Sequence, residues 1–526
     1  MNPFRRLVCW LSVTAIGGSM VSGAAGQQPP VSVSPTLSKP VASDTPLGIA
    51  LKAGEYPIDL ATALQLAGVQ NPELLIARER ITEAMALKQL AAAQALPNIN
   101  VGTNYDLHRG PLQQSSGNIL QVNRDAMYVG LGSNAVGSGT VNIPGVSYNL
   151  NVGTAWFNFL RSKQLVALAG AAARTSQNNT LLNVCLAYSE LVRAEARLAV
   201  FKLNIREAEE LVRLTEAYSS AGQGRKADAD RTTVELRKRE ADLVQVEADA
   251  VAASVRLGRL LNLDSAVRLK PTDGAAVPAS VVPELVPVTE LVAIALMQRP
   301  ELEERRIEIR QALYELSGAK LLPFSPNVVL GFSTGSFGGG SNLVSQEPGV
   351  VGVDGRPQTG PRFGNFNSRV DFDAAVYFTV LNLGVGNVAI TRGAASRARQ
   401  ADLRQQETLN RVRAEVVEAD ARAQSKLRQI DIAARAVEAS REAFIQDLIR
   451  IRGREGLPIE VIDSVRLLAR SRGEYLDAII DYNRAQFQLY VAIGQPPAGA
   501  LARPVPPNLL LATPSNVPPA LNPNKK

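Results

Sequence analysis

Two segments about 230 residues apart, PIDLATALQLAGVQNPEL (57–74) and PVTELVAIALMQRPEL (287–302), carry the same pattern: a short amphipathic stretch and then X-Pro-Glu-Leu. Pro72 and Pro300 suit the first turn of a helix, where a missing N–H costs nothing, and Glu73 and Glu301 sit at the positive end of its dipole. Each segment therefore reads as a helix that stops and restarts. At nearly the same spacing LPNINVG (96–102) answers SPNVVLG (325–331), and WFNFL at Trp156 answers VLNLG at Asn382. A duplication on this scale requires one supersecondary unit to be built twice. The units are assigned to residues 57–286 and 287–495, flanked by Pro-rich segments at 25–56 and 496–526.

The first residues place Arg5 and Arg6 before an apolar run from Leu7 to Ile16, then small residues. This is the order of a secretory signal peptide, with cleavage expected after Ala24; the run is too short for a spanning helix. Cleavage would leave Cys185 as the single cysteine, so no internal disulfide is expected and packing must supply stability. The formal charge of +7 is spread among interleaved acids. Without a concentrated basic patch, nucleic acid is not an expected partner.

Four segments alternate with a period of two, as strands do. In the first, about 98–107, Ile99, Val101 and Tyr105 share one face while Asn98, Asn100 and Asn104 share the other. The second, about 146–157, puts Tyr148, Leu150, Val152 and Trp156 on the apolar face. Leu330 and Phe332 do so in the third, about 326–336, and Phe372, Val376 and Phe378 in the fourth, about 370–381. Each is long enough to cross an outer-membrane bilayer at a tilt, apolar side to lipid and polar side to a lumen. A half-buried strand of a soluble sheet also alternates. Four matched strands in two corresponding hairpins, on an exported chain, favour the membrane. The Gly-, Ser- and Asn-rich stretches 107–145 and 337–369 then read as external loops, with DAMYVGLG near Met127 as a further short strand and Gly338–Gly340 as flexible loop.

Long helical patterns follow each hairpin. Leu181, Val184, Tyr188, Leu191, Leu198 and Ile205 form a coiled-coil-like seam, as do Ile430, Val437, Phe444 and Ile451. A helix over 160–219 would span about 90 Å, and the shorter helices expected over 226–263 and 72–96 would together cover about the same distance beside it. Four strands cannot close a barrel and open edges in lipid are prohibitive, so the chain must oligomerise. Two chains would supply eight strands and three would supply twelve.

The paired NPEL and RPEL restarts, the paired LPNINVG and SPNVVLG entries, and the two turns AYSSAGQGRKADADRT and RIRGREGLPIEVIDS, in this order, resemble the TolC-type outer-membrane efflux protein family over nearly the whole chain. The resemblance implies a mostly α protein with a β-barrel contribution. In that fold a homotrimer forms one twelve-stranded outer-membrane barrel continuous with a periplasmic α-helical tunnel. It also implies a periplasmic adaptor and an inner-membrane transporter as partners, and export of drugs, ions, small molecules or proteins. The turns would form the periplasmic tip. Gly222 and Gly224 mark the first turn, and either Gly453 or Gly456 marks the second, as candidate adaptor contacts. Asp228, Glu460 and Asp463 match the acids of the family's closed constriction. Threefold symmetry would crowd such carboxylates together, so that they attract cations and repel one another.

No catalytic pattern appears. The single histidine, His108, reads as a solvated loop residue, and neither a Cys/His metal cluster nor a phosphate-cradling Gly-Lys-Ser/Thr motif is present. The expectation is a passive, non-enzymatic duct without cofactor or metal. A structural or adhesive coiled-coil envelope protein without a through-channel is the competing reading.

Overall fold

The computed structural model describes residues 54–113, 115–133, 143–222, 224–273, 276–283, 286–341, 364–453 and 457–497. The expected signal peptide, most of both Pro-rich flanks and Gly456 lie outside these residues.

The duplication is nearly exact in element lengths. In the first copy α1 (Leu60–Gln70) and α2 (Pro72–Ala93) lead to the sheet, and α3 (Val152–Ser220) and α4 (Lys226–Leu260) follow it. In the second, α5 (Val288–Gln298), α6 (Pro300–Leu321), α7 (Val385–Arg452) and α8 (Pro458–Ala492) repeat the pattern. The long helices have 69 and 68 residues, so each rises about 100 Å. α2 and α4 pack along α3, α6 and α8 along α7, and α3 also meets α6 and α8. The lateral order is therefore α2 or α4, then α3, then α6 or α8, then α7.

Asn71 explains the first restart. Its side chain accepts from the Glu73 amide at 2.8 Å, capping α2, and donates to the Leu260 carbonyl at 2.8 Å, tying α2 to the end of α4. In the second copy Arg299 takes the cap position and instead pairs with Glu301 and Glu415. Asn71→Ala should cost about 1 to 2 kcal/mol, read as a lower melting temperature by circular dichroism, because a cap and a buried hydrogen bond go together.

Around this restart lies the largest apolar core, where Ala63, Leu64, Leu181, Leu191, Leu257 and Ile480 are buried together. Beside it a short parallel pair, β1 (Gly54–Ile58) on β7 (Val267–Pro271), joins the start of the first copy to its end. Cys185 is buried in the same core, and that burial pushes its thiol up to about 12, which leaves it inert.

The remaining strands are β2 (Asn98–Ile99), β3 (Val101–Gln113), β4 (Ile119–Ser133), β5 (Ile143–Pro144), β6 (Val146–Asn151), β8 (Asn327–Ser341) and β9 (Gly364–Tyr377). They make four lateral positions. β2 and β3 fill the first, β8 the third and β9 the fourth. The second is composite: β4 lies between β3 and β8 in the half of the sheet away from the helices, and β6 fills the same position nearer them. The chain leaves this position after Leu131 and returns at Val146. Asn100 bridges the break, donating its amide to Gly145 O at 2.6 Å and accepting from the Gly132 amide at 2.7 Å. Across the break, Ser333 Oγ accepts from the Gly145 amide at 3.2 Å.

Several expectations change here. β4 is a full strand of 15 residues, and Gly338–Gly340 lie inside β8, not in a loop. Val152 and Trp156 are not strand residues: Asn151 accepts from the Thr154 amide at 2.9 Å and starts α3 there. Phe378 lies just past β9, whose ladder ends at Tyr377 paired with Asn327. Beyond it Asn382, Leu383 and Gly384 turn left-handed to enter α7. His108 lies within β3 rather than beyond a strand.

Candidate functional site

The register sorts the sheet into two chemically distinct faces. Ile99, Val146, Phe332 and Phe372 stand at one level, with Tyr148, Leu330 and Ala374 at the next level towards the helices, then Leu150, Val328 and Val376. Away from the helices come Val101, Thr334 and Val370, then Tyr105 with Met127. Apart from Thr334 these side chains are apolar, half-buried at several central positions and open to solvent towards the edges: Val101 is 80% exposed and Phe372 68%. The opposite face carries Asn98, Asn100, Asn104, Asp106, Ser147, Asn149, Asp371 and Asp373. A soluble sheet covers its apolar face and wets its polar one. This sheet leaves the apolar face bare.

Both layers are also open at corresponding edges. Among the described residues β3 pairs only with β4 and β9 only with β8, leaving the first and fourth positions with unpaired sides. In the helical layer the end positions belong to α2 or α4 and to α7. Exposed apolar side chains gather on these end helices: Ile76 and Leu90 on α2, Val234 and Val244 on α4, Leu403 and Ile432 on α7.

At the far end of the helices lie the two turns. Gly222 closes α3 in the left-handed region with φ +71°, where a side chain would be strained. Gly224 is needed for space, since a Cβ there would meet Tyr218 Cβ at 3.2 Å. Gly453 caps α7 with φ −76°, an ordinary helical value, so it does not supply a left-handed turn. Tyr218 ties the two turns together by donating to the Ile451 carbonyl at 3.2 Å.

The three candidate acids are not brought into contact with one another. Asp228, in the first turn of α4, pairs with Arg231 at 3.1 Å. Glu460 accepts from the Leu457 amide, capping α8, and pairs with Arg450 at 3.3 Å. Asp463 is 68% exposed and lies 3.7 Å from Arg466. What sequence reasoning missed is the next link. Arg466 of α8 reaches Glu235 of α4 at 2.7 Å, and Arg239 approaches the same carboxylate at 3.3 Å. The spacing of Glu235 and Arg239, one helical turn apart, was the available signal. Nothing local pointed to Arg466.

Burial would raise the Glu235 carboxyl, but the Arg466 hydrogen bond and the Arg239 charge bring it below the ordinary value of 4.5. A depressed carboxyl contributes stability at neutral pH that is lost as pH falls through its folded value. Protection of amides from hydrogen exchange around Glu235 of α4 and Arg466 of α8 should therefore fall on acidification below about pH 4.5. In Glu235→Gln that protection should already be low at pH 7 and change little with acid.

Nearer the sheet, α3 and α8 are joined by an antiparallel ladder of ion pairs. Glu190 meets Arg484, Arg193 meets Asp481 at 2.5 Å, Arg197 meets Asp477 at 2.6 Å and Glu207 meets Arg472 at 2.7 Å. The ladder fixes the two copies to each other. No described helix is long and apolar enough to cross a membrane.

The family model described as outer membrane efflux protein matches residues 63–263, from α1 to just past α4. A comparison with curated protein sequences finds no match. Solved structures share the fold at low identity. The outer-membrane channel OprN is 20% identical, with a TM-score of 0.63 over 83% of this chain and 89% of its own. The outer membrane protein VceC from Vibrio cholerae is 16% identical, with a TM-score of 0.63 over 83% and 96%. The Campylobacter jejuni CmeC outer membrane channel is 14% identical, with a TM-score of 0.65 over 83% and 85%. The first repeat is thus similar to the outer membrane efflux protein family, and the fold is shared with these channels across both repeats.

Proposed function

We propose that the protein is the passive exit duct of a tripartite efflux system, conducting substrates across the periplasm and the outer membrane. The observation that carries this reading is the coincidence of the open edges with the bare apolar face. Identical subunits would pair β9 with the neighbour's first strand position and α7 with the neighbour's α2 and α4, a heterologous contact that closes into a ring. Three subunits would give twelve strands, apolar outside and polar within, above a wall of helices. Ile99, Val101, Tyr105, Tyr148, Leu150, Leu330, Phe332, Phe372 and Val376 would then meet lipid.

The turns at Gly222, Gly224 and Gly453 would meet a periplasmic adaptor, with an inner-membrane transporter supplying the energy. Asp228, Glu460 and Asp463 would line the closed tip. Their present pairing with Arg231, Arg450 and Arg466 offers a way to hold it shut that does not need the acids to touch. The Arg466 to Glu235 contact would brace α8 against α4 in that state.

Purified oligomer in planar bilayers is expected to conduct in small steps, and the double substitution Glu460→Gln, Asp463→Asn should raise the open fraction several-fold. A folded oligomer that never conducts, even with those acids neutralised, would overturn the duct and leave a structural envelope protein.

A further inference from the structure

Where the helices leave the sheet, α3 and α6 carry a surface that the duct reading does not use. The exposed positions of α6, Arg306, Arg310, Leu313, Ser317 and Lys320, recur every three or four residues and so form one stripe. Phe324, 75% exposed, continues that stripe just before β8. The flanks of α6 are occupied. Towards α3, Glu304 accepts from Thr175 and a Cβ on Gly318 would meet Phe157 Cβ at 3.2 Å; towards α7, Glu315 pairs with Arg397 at 2.8 Å. On α3 the matching stripe is Trp156, Phe159 and Lys163, at the same helical spacing. Trp156 is 58% exposed, with its ring centroid 6.4 Å from that of Phe159. One turn before Trp156, Val152 keeps the parity of Tyr148 and Leu150, so the stripe prolongs the bare apolar face of the sheet.

No acid balances the bases of these stripes near the sheet. α3 has none before Glu190, and α6 none after Glu315, which is turned to Arg397. Lys163 and Lys320 are both exposed, and among the described residues neither has an ion-pair partner. The backbone brings the two towards one level. Measured from the Phe157 to Gly318 contact, Lys320 lies about 3 Å nearer the sheet and Lys163 about 9 Å farther from it. Side chains lean towards the N-terminus of their own helix. α3 begins at the sheet and α6 ends there, so Lys163 leans towards the sheet and Lys320 away from it, one towards the other at the level of Phe159.

We propose that Lys163 and Lys320 bind the headgroup of an anionic phospholipid in the periplasmic leaflet of the outer membrane, with Trp156 and Phe324 against the upper part of its acyl chains. The inference rests on the lipid-facing assignment of the sheet. Continuity with that face and charge complementarity select the occupant: an apolar band, an aromatic level and then a pair of ammonium groups follow the order of acyl chain, interface and phosphate in a leaflet. A zwitterionic headgroup brings its own cation to the two lysines and gains less. The site fixes the height of the duct in the membrane, since a shift along its axis would part the lysines from the phosphate level.

Trp156 is the probe. The only other tryptophan, Trp10, lies in the expected signal peptide, so Trp156 should report alone in the exported chain. The full-length oligomer is reconstituted in phosphatidylcholine vesicles containing brominated phosphatidylglycerol or brominated phosphatidylcholine, and quenching of its fluorescence gives the relative affinity of the two lipids. Wild-type protein should favour the anionic lipid about fivefold or more, and less as ionic strength rises from about 0.05 to 0.5 M. Lys163→Gln with Lys320→Gln should bring the ratio near one, while Arg161→Gln, on the far side of α3, should leave it unchanged. If the double variant does not assemble, the salt dependence of the wild type and the retained preference of Lys163→Arg with Lys320→Arg carry the test. Quenching by both lipids without headgroup preference, a preference indifferent to salt, or one that survives the double Gln variant overturns the site and leaves the lipid-facing assignment standing. Fluorescence that neither brominated lipid quenches overturns both.

Discussion

Gly145→Val is expected to abolish the heat-resistant oligomer in the outer-membrane fraction while the helices remain folded. A Cβ at this position would lie 2.4 Å from the carbonyl carbon and oxygen of Leu131, which are backbone atoms with nowhere to go. The clash falls where β4 hands its lateral position to β6, and the Gly145 amide and carbonyl hold both neighbouring strands there. The cost should be about 3 kcal/mol or more, since a backbone obstruction cannot be relieved by a rotamer change. Gly170→Ala is the control: nothing lies within 4 Å of the added Cβ, so assembly should be unaffected. Normal oligomer yield from Gly145→Val, measured on unheated gels, would show that the break between β4 and β6 is not a fixed joint.

The second large effect concerns the faces of the sheet. Val101→Arg and Phe372→Arg should each cost about 2 to 4 kcal/mol per subunit, the penalty for a cation in the lipid-facing band of a barrel. Asn104→Arg, on the opposite face beside Tyr128, should leave the protein in the membrane. Quantitative recovery from outer-membrane vesicles distinguishes the two, and equal losses on both faces would remove the lipid assignment. In the proposed ring the substitution would recur in each subunit, so the penalty would be added once per member.

Much of this architecture was legible from residues alone, for reasons that differ by element. The duplicated Pro-Glu-Leu restarts could be read because a proline in the first helical turn is a local signal independent of tertiary context. The alternation of Ile99 to Leu107 could be read because one face of that strand is apolar but for Thr103. β4 was read only in part because Arg124 and Asp125 interrupt its middle and Gly130 and Gly132 its end, which mimics a loop; cross-strand partners on both sides hold it extended instead. The second strand was read too long because Val152 to Trp156 continues the alternation while Asn151, a capping residue, ends it.

The two helix turns were legible through their glycines, and Asp228, Glu460 and Asp463 lie beside them near the starts of α4 and α8. Their partners were not legible, because Arg466 meets Glu235 across 231 positions of sequence and no local pattern records that. His108 was misplaced for the same reason as β4: the loop it was assigned to is the far half of a hairpin.

The unlike edges of the subunit have a genetic consequence. In a ring closed by unlike edges, every member touches two neighbours through different surfaces, so one defective member spoils every ring that admits it. Co-expressed with wild type, a subunit carrying Phe372→Arg should therefore act dominantly. Intact rings should decline as the wild-type fraction raised to the number of members. The steepness of that dosage curve counts the subunits without any structure being solved.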